Sequence, residues 1–223
     1  MPQPVYTKTR ELAGWRKIHD LFRFYFWWWF NHLYARVCFR LTIEGEENIP
    51  TGGAALLTSN HISYLDANII SAASPRKVSF MVAKEYYDSE FLRWMCDFLG
   101  CIPVNREEPE IGTVKEALKK LSKGMLVGCF PEGGISTSGE MNDAKAGIGL
   151  MAIRTGCPVV PICLSGYRFQ SMPKTFFLPK RVSIRIGKPL SFPEEDHRNR
   201  ESLERVTQRI VDAIKELGKS DSG

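Results

Sequence analysis

The sequence predicts an α/β fold: a mixed, largely parallel sheet flanked by helices and preceded by an aromatic N-terminal helix. Three observations carry that expectation. From about residue 41 onward, short apolar runs of strand composition alternate with stretches of helical periodicity. Such alternation is the mark of a layered α/β domain. The chain has 223 residues, enough for one good-sized core with an appendage. The dense aromatic segment upstream keeps a helical period of its own, and no repeat, low-complexity tract or long linker interrupts the chain beyond it.

The first element is a helix from Trp15 to Phe39. Trp15, Ile18, Phe22, Tyr25, Phe26, Trp29, Leu33 and Val37 recur at helical spacing. The uncharged stretch between Arg23 and Arg36 is a dozen residues long, short of the roughly 20 that cross a bilayer core. The whole formal excess of +5 lies in residues 1–40, where seven basic side chains oppose Glu11 and Asp20. Aromatic rings favour the membrane interface, and flanking arginines meet anionic head groups. Residues 1–40 therefore read as a membrane-docking segment lying in one leaflet, with Phe22, Phe26, Trp27, Trp28, Trp29 and Phe30 as its inserted rings. A signal peptide needs a leucine-rich centre followed by small residues, which Asn31 to Arg36 does not offer. A soluble core helix or a dimer interface is the competing reading, since so large an apolar surface must be covered.

Val37 to Ile43 then reads as a strand, Asn48 to Gly53 as a turn, and Ala54 to Thr58 as a short apolar strand running into Asn60-His61-Ile62-Ser63-Tyr64-Leu65-Asp66. Leu65 to Ala73 has helix composition and ends at Ser74-Pro75-Arg76. Lys77 to Ala83 reads as a strand that delivers Lys84 to its end. Ser89 to Leu99 is a predicted helix stopped by Gly100, and Cys101 to Val104 a brief strand entering Asn105-Arg106. Pro109 opens a helix to Lys123, closed by Gly124. Met125 to Phe130 is an apolar strand that empties into Pro131-Glu132-Gly133-Gly134. Lys145 to Thr155 is helical, with Ala146, Gly147, Gly149 and Ala152 small enough for close packing. Pro158 to Leu164 and Arg181 to Ile186 are further strands. From Ser202, the spacing of Leu203, Val206, Ile210, Ile214 and Leu217 predicts an amphipathic C-terminal helix.

The six cysteines sit mostly in apolar runs without a CxxC spacing, so they read as small core residues in a reducing compartment. That places the chain on the cytoplasmic face of a membrane. Four histidines without HExxH give no expected metal site, and no nucleic-acid partner is expected.

The residues with the most chemistry are His61 and Asp66. An imidazole becomes a general base when a carboxylate fixes its tautomer and stabilises the imidazolium. Asp66 reaches back to His61 if a helix starts between them; a polar loop capping that helix would use the same residue types. Three elements occupy equivalent places after apolar strands: His61 to Asp66, Asn105-Arg106, and Glu132-Gly133-Gly134. Ligand sites gather at the carboxyl ends of strands in such sheets. An acid-base pair, a basic residue and a glycine loop suit an anionic substrate, whereas a plain turn also explains Gly133-Gly134.

Asn60-His61-x-Ser63-x-x-Asp66, Gly100 to Arg106, Phe130-Pro131-Glu132-Gly133 and Val160-Pro161-Ile162 together resemble the four ordered blocks of the glycerolipid acyltransferase family, which includes the 1-acylglycerol-3-phosphate acyltransferases. The resemblance spans about Leu41 to Ile186. It implies that residues 41–223 form a catalytic domain moving a fatty acyl group from acyl-CoA or acyl-ACP to a lysophospholipid hydroxyl, with no further cofactor. His61 would deprotonate the hydroxyl and Asp66 would orient the imidazole. Arg106, Glu132, Gly133, Gly134, Asn60, Ser63 and, on weaker grounds, Lys84 would contact substrate. The family's third block continues with Thr-Arg-Ser, whose arginine contacts the acceptor phosphate; here Gly134-Ile135-Ser136 stands instead. Either Arg106, Lys84 and Lys145 hold that phosphate, or the acceptor is another lyso-lipid. A serine hydrolase would need a GxSxG elbow, to which Ser165 is the nearest approach. A non-catalytic membrane-binding module is the third possibility.

Overall fold

The computed structural model describes residues 22, 25, 26, 28–37, 39–88, 93, 96, 97, 99–105, 111–136, 141, 144–167 and 181–219. Within them, strands β1 (Thr42–Glu44), β2 (Ala55–Ser59), β3 (Val78–Ala83), β4 (Ile102–Val104), β5 (Leu126–Cys129), β6 (Val159–Ser165) and β7 (Ser183–Ile186) form one sheet. Their order is β1-β7-β6-β2-β5-β3-β4. Only the β6–β7 pair is antiparallel; the other neighbours run parallel.

The pleat divides the core into two layers. Ala55 and Leu57 of β2 project into one apolar cluster, while Leu56 projects into the other. Leu126 and Val127 of β5 divide in the same way, as do Val160 and Val159 of β6. All five residues of β2 are buried, the pattern of a central strand covered on both faces.

One layer holds α1, helical throughout residues 28–37, and α2 (Asp66–Ala73). The other holds α4 (Ile111–Leu121), α5 (Gly147–Thr155) and α6 (Arg200–Lys219); the single turn α3 (Lys84–Tyr87) comes directly after β3. Val206, Ile210 and Ile214 of α6 are buried at helical spacing. Gly149 is what lets α5 approach: a Cβ there would lie 2.6 Å from the Leu203 carbonyl oxygen.

The strand expected from Val37 to Ile43 begins only at Thr42, because residues 37 and 39 are still helical. Ala35 and Phe39 are buried in the core while Val37 is exposed, so burial of the helix's inner face outweighs the β-propensity of Val37. Arg40, with φ 44°, then breaks the helix. The turn α3 was not expected. The parts of the expected helices from Trp15 to Leu21 and over most of Ser89 to Leu99 lie outside the described residues, although residues 93, 96, 97 and 99 are helical.

The inner face of α1 is fastened along α2 and to the residue that follows it. Trp28 Nε1 donates to the Ser74 carbonyl and Asn31 Nδ2 to the Asn68 carbonyl, each at 2.8 Å. His32 Nδ1 lies 2.8 Å from the Ala72 carbonyl oxygen, and its ring stacks on Trp28. The Ala72 and Ser74 carbonyls, left open at the end of the helix, are thereby satisfied, while Asn68 lies within it. Trp28, grouped by sequence with the membrane-facing rings, is half-buried against α2. Phe22, Phe26, Trp29 and Phe30 are exposed, and Trp27 lies outside the described residues.

Candidate active site

β2 ends at Ser59, and the next seven residues form a tight polar loop whose last member starts α2. Asp66 folds back over that loop. Its Oδ2 lies 2.7 Å from His61 Nδ1 and accepts the backbone N–H groups of Ile62 at 2.7 Å and Ser63 at 2.9 Å. Two backbone N–H groups already donate to that oxygen, so toward the ring it acts as an acceptor. Its partner on the ring is therefore Nδ1–H, which leaves the Nε2 lone pair to take a proton. The Asp66 side chain is fully buried while that of His61 keeps 15% of its surface. The other carboxylate oxygen, Oδ1, accepts the phenol O–H of Tyr167. Burial, followed by the Asp66 charge, pushes that phenol well above its ordinary pKa, so it stays a donor.

The turn after β5 supports His61 from a second side. Glu132 Oε1 accepts the His61 backbone N–H at 2.8 Å, and the Ser136 N–H donates to the His61 carbonyl at 2.7 Å. The imidazole stacks on Phe130 with ring centres 4.0 Å apart, and Phe130 is backed by Phe80 at 5.9 Å. Gly133 turns at φ 69°, and a Cβ on it would lie 2.9 Å from Lys145 Nζ. Lys145 is itself tied to the turn by its N–H to the Pro131 carbonyl at 2.9 Å.

His61 opens into a cavity of about 1070 Å³ that crosses the carboxyl ends of β3, β4 and β5. One wall comes from α2 and its approach (Tyr64, Leu65, Ala67, Asn68, Ser71), the opposite one from α4 and α5 (Val114, Leu118, Ile148, Met151). The volume is at the upper end for small-molecule sites, and the largely apolar lining suits a hydrocarbon chain.

The expected site residues divide on this geometry. His61, Gly133, Ile135 and Lys145 line the cavity. Glu132 is buried and holds the His61 backbone rather than facing the cavity. Asn60, expected to touch substrate, instead clamps β6: its amide donates to the Leu164 carbonyl at 2.9 Å and accepts the Leu164 N–H at 2.8 Å. Ser63 is also turned inward, fully buried with its Oγ accepting the Leu65 N–H at 3.3 Å. Gly134 is outside the described lining, and Lys84 is exposed at the start of α3. Arg106 lies outside the described residues. Tyr167 escaped sequence reasoning because its partner is 101 residues away.

A histidine paired with a buried aspartate at the strand ends of an α/β sheet, on the wall of a largely apolar cavity, is the arrangement that general-base chemistry requires. Residues 40–165, more than half of the chain, match the model of the family described as Acyltransferase. The chain belongs to that family. It is 26% identical over 177 residues to a 1-acyl-sn-glycerol-3-phosphate acyltransferase of Bacillus subtilis, covering 78% of this chain and 86% of that one. It is 31% identical over 131 residues to the chloroplastic 1-acyl-sn-glycerol-3-phosphate acyltransferase LPAT1 of Arabidopsis thaliana, covering 57% of this chain and 36% of the relative. This match spans only about a third of LPAT1. Among solved structures, the 1-acyl-sn-glycerophosphate acyltransferase PlsC of Thermotoga maritima superposes with a TM-score of 0.61 at 27% identity, over 78% of this chain and 72% of that one.

Proposed function

We propose that this protein is an O-acyltransferase moving a fatty acyl group from acyl-CoA or acyl-ACP to the free hydroxyl of 1-acyl-sn-glycerol-3-phosphate, giving phosphatidic acid. The observation that carries the reading is the 2.7 Å pairing of His61 Nδ1 with buried Asp66 Oδ2 at the wall of a large apolar cavity. The named activities of the relatives support it. The acceptor hydroxyl attacks the thioester carbonyl while His61 Nε2 takes its proton, and Asp66 stabilises the imidazolium. The tetrahedral adduct collapses by breaking the carbon–sulfur bond. A thiol with a pKa near about 8.5 leaves as thiolate and recovers a proton from the imidazolium, so no covalent acyl-enzyme is required.

The exposed face of α1 supports peripheral docking to a membrane that supplies the acceptor. Among the described residues no helix is long and apolar enough to cross a bilayer. One observation favours a second reading of the acceptor: Ile135, which lines the cavity, cannot pair with a phosphate. A different lyso-lipid head group would then occupy that end. The hydrolase reading is disfavoured, since Ser165 is outside the described cavity lining.

The test is acyl transfer by the full chain to a panel of lyso-lipids in vesicles, with acyl-CoA and acyl-ACP as donors. Lysophosphatidic acid is expected to be the best acceptor, and His61→Ala to lose at least about a hundredfold in rate. Wild-type rates in folded His61→Ala would refute the general base. A better acceptor lacking a phosphate monoester would establish the second reading.

A further inference from the structure

The chain leaves β6 at Ser165 and reverses at once. Gly166 sits at φ 88°, where a Cβ would lie 2.2 Å from the Arg181 carbonyl oxygen, so the turn requires glycine. It carries Tyr167 back beneath the His61 loop, where the ring is buried and its hydroxyl donates to Asp66 Oδ1. Leu164, three residues upstream, is joined by two hydrogen bonds to Asn60. Residues 164–167 therefore hold both ends of the loop that runs from Asn60 to Asp66.

The two oxygens of Asp66 are divided between two tasks. Oδ2 serves the imidazole and two backbone N–H groups, while Oδ1 serves Tyr167. A donor on Oδ1 fixes the rotation of the carboxylate about its own axis. It also draws charge away from Oδ2, which tempers the pull of the carboxylate on the imidazolium. Among the described residues, the other titratable groups around this site are Tyr64 of the loop, Tyr86 of α3, Cys129 of β5, Glu132 and Lys145 beyond β5, and, farther round the cavity, Cys96, Cys101, Lys115 and Arg154.

We propose that Tyr167 is a positioning residue of the His61–Asp66 dyad, orienting the carboxylate and setting the basicity of the imidazole through it. Its kinetic test rests on the acyl-transfer reading; its spectroscopic test does not.

The test variant is Tyr167→Phe in the full chain, which keeps the ring and removes the hydroxyl. The His61 ring is followed by NMR titration, with its resonance identified by its absence in His61→Ala. Loss of the hydroxyl makes Asp66 more basic, so the His61 midpoint is expected to rise by about half a pH unit or more. In acyl transfer, kcat is expected to fall about tenfold with both KM values within twofold, and the acid limb of kcat/KM to move up with the NMR midpoint. Difluorotyrosine placed at position 167, a stronger donor of nearly the same size, is expected to move the midpoint down. This second variant decides the matter if Tyr167→Phe fails to fold. An unmoved midpoint, with or without a fall in kcat, would overturn the proposal and leave Tyr167 as packing. So would a change confined to KM. Wild-type protein without acyl transfer would defeat the proposed function, and the titration would still decide the role of Tyr167.

Discussion

His61 Nδ1 lies 2.7 Å from Asp66 Oδ2, and that same oxygen receives the backbone N–H groups of Ile62 and Ser63. The carboxylate thus orients a ring and closes a loop at once, and two substitutions separate these tasks. Asp66→Asn supplies an amide oxygen for the loop donors but no charge for the imidazolium. It is expected to keep a near wild-type melting temperature while losing about 10²- to 10⁴-fold in kcat. Asp66→Ala leaves buried N–H groups unpaired and is expected to lose about 2–4 kcal/mol of stability as well, measured by urea unfolding. Wild-type turnover in Asp66→Asn would remove the charge from the mechanism.

The stack behind His61 begins at a glycine. A Cβ on Gly128 of β5 would lie 2.4 Å from the Phe80 ring, Phe80 backs Phe130, and Phe130 carries the imidazole at 4.0 Å. Gly128→Ala is expected to cost about 1–3 kcal/mol through overpacking and also to lower kcat by tilting the stack. Gly149→Ala is the matched control, because its Cβ would meet Thr207 Oγ1 at 2.7 Å between α5 and α6. It is expected to lose comparable stability with kcat unchanged in the folded protein. Equal kcat in both variants would show that the stack does not govern His61.

What the sequence displayed was local. The apolar runs that became β2, β5 and β6 are continuous because both faces of those strands are covered, and period alone located them within a residue or so. His61 and Asp66 were legible because a loop and one helical turn join them. Residues whose role depends on a distant partner were not. Asn60 has the composition of a substrate ligand, yet Leu164, 104 residues on, uses both ends of its amide. Glu132 belonged to a recognisable block, yet its partner is the backbone of His61, 71 residues earlier. On α1, period located the helix and most of its exposed row, but Trp28 was grouped with that row because its bond to Ser74 depends on where α2 ends.

Alkaline stability depends on buried thiols. Burial, with a smaller contribution from Cys157, pushes Cys129 from its ordinary 9.0 up to about 12. Between these values the unfolded chain has lost this proton and the native state retains it. The group's contribution is therefore complete below pH 9 and falls as pH rises toward 12. The expected slope is a loss of about 1 kcal/mol per pH unit from this thiol. Cys101, also pushed to about 12 by burial, adds to the loss. Urea midpoints for Cys129→Ala between about pH 9.5 and 11 are expected to decline less steeply than those of wild type. Parallel declines would assign the alkaline loss to other groups.

The two faces of α1 predict two different failures. The outer face exposes Phe22, Phe26, Trp29, Phe30, Leu33 and Val37, spaced by three or four residues except for the adjacent Trp29 and Phe30, while Trp28, Asn31 and His32 bond to α2 and to Ser74. Burying one large apolar side chain contributes about 1.5–3 kcal/mol. Replacing Phe26, Trp29 and Phe30 together by serine is therefore expected to lower partitioning onto anionic lipid vesicles by at least about a hundredfold, with the melting temperature unchanged. Trp28→Phe removes the indole donor to Ser74 and trims the ring stacked on His32. It is expected to leave vesicle binding intact and to reduce stability by about 1 kcal/mol, read from urea unfolding. Vesicle cosedimentation separates these outcomes. If the triple serine variant sedimented like wild type but shifted from a dimer to a monomer in solution, the aromatic face would be a contact between copies of the chain, and the acceptor would have to reach the cavity by another route.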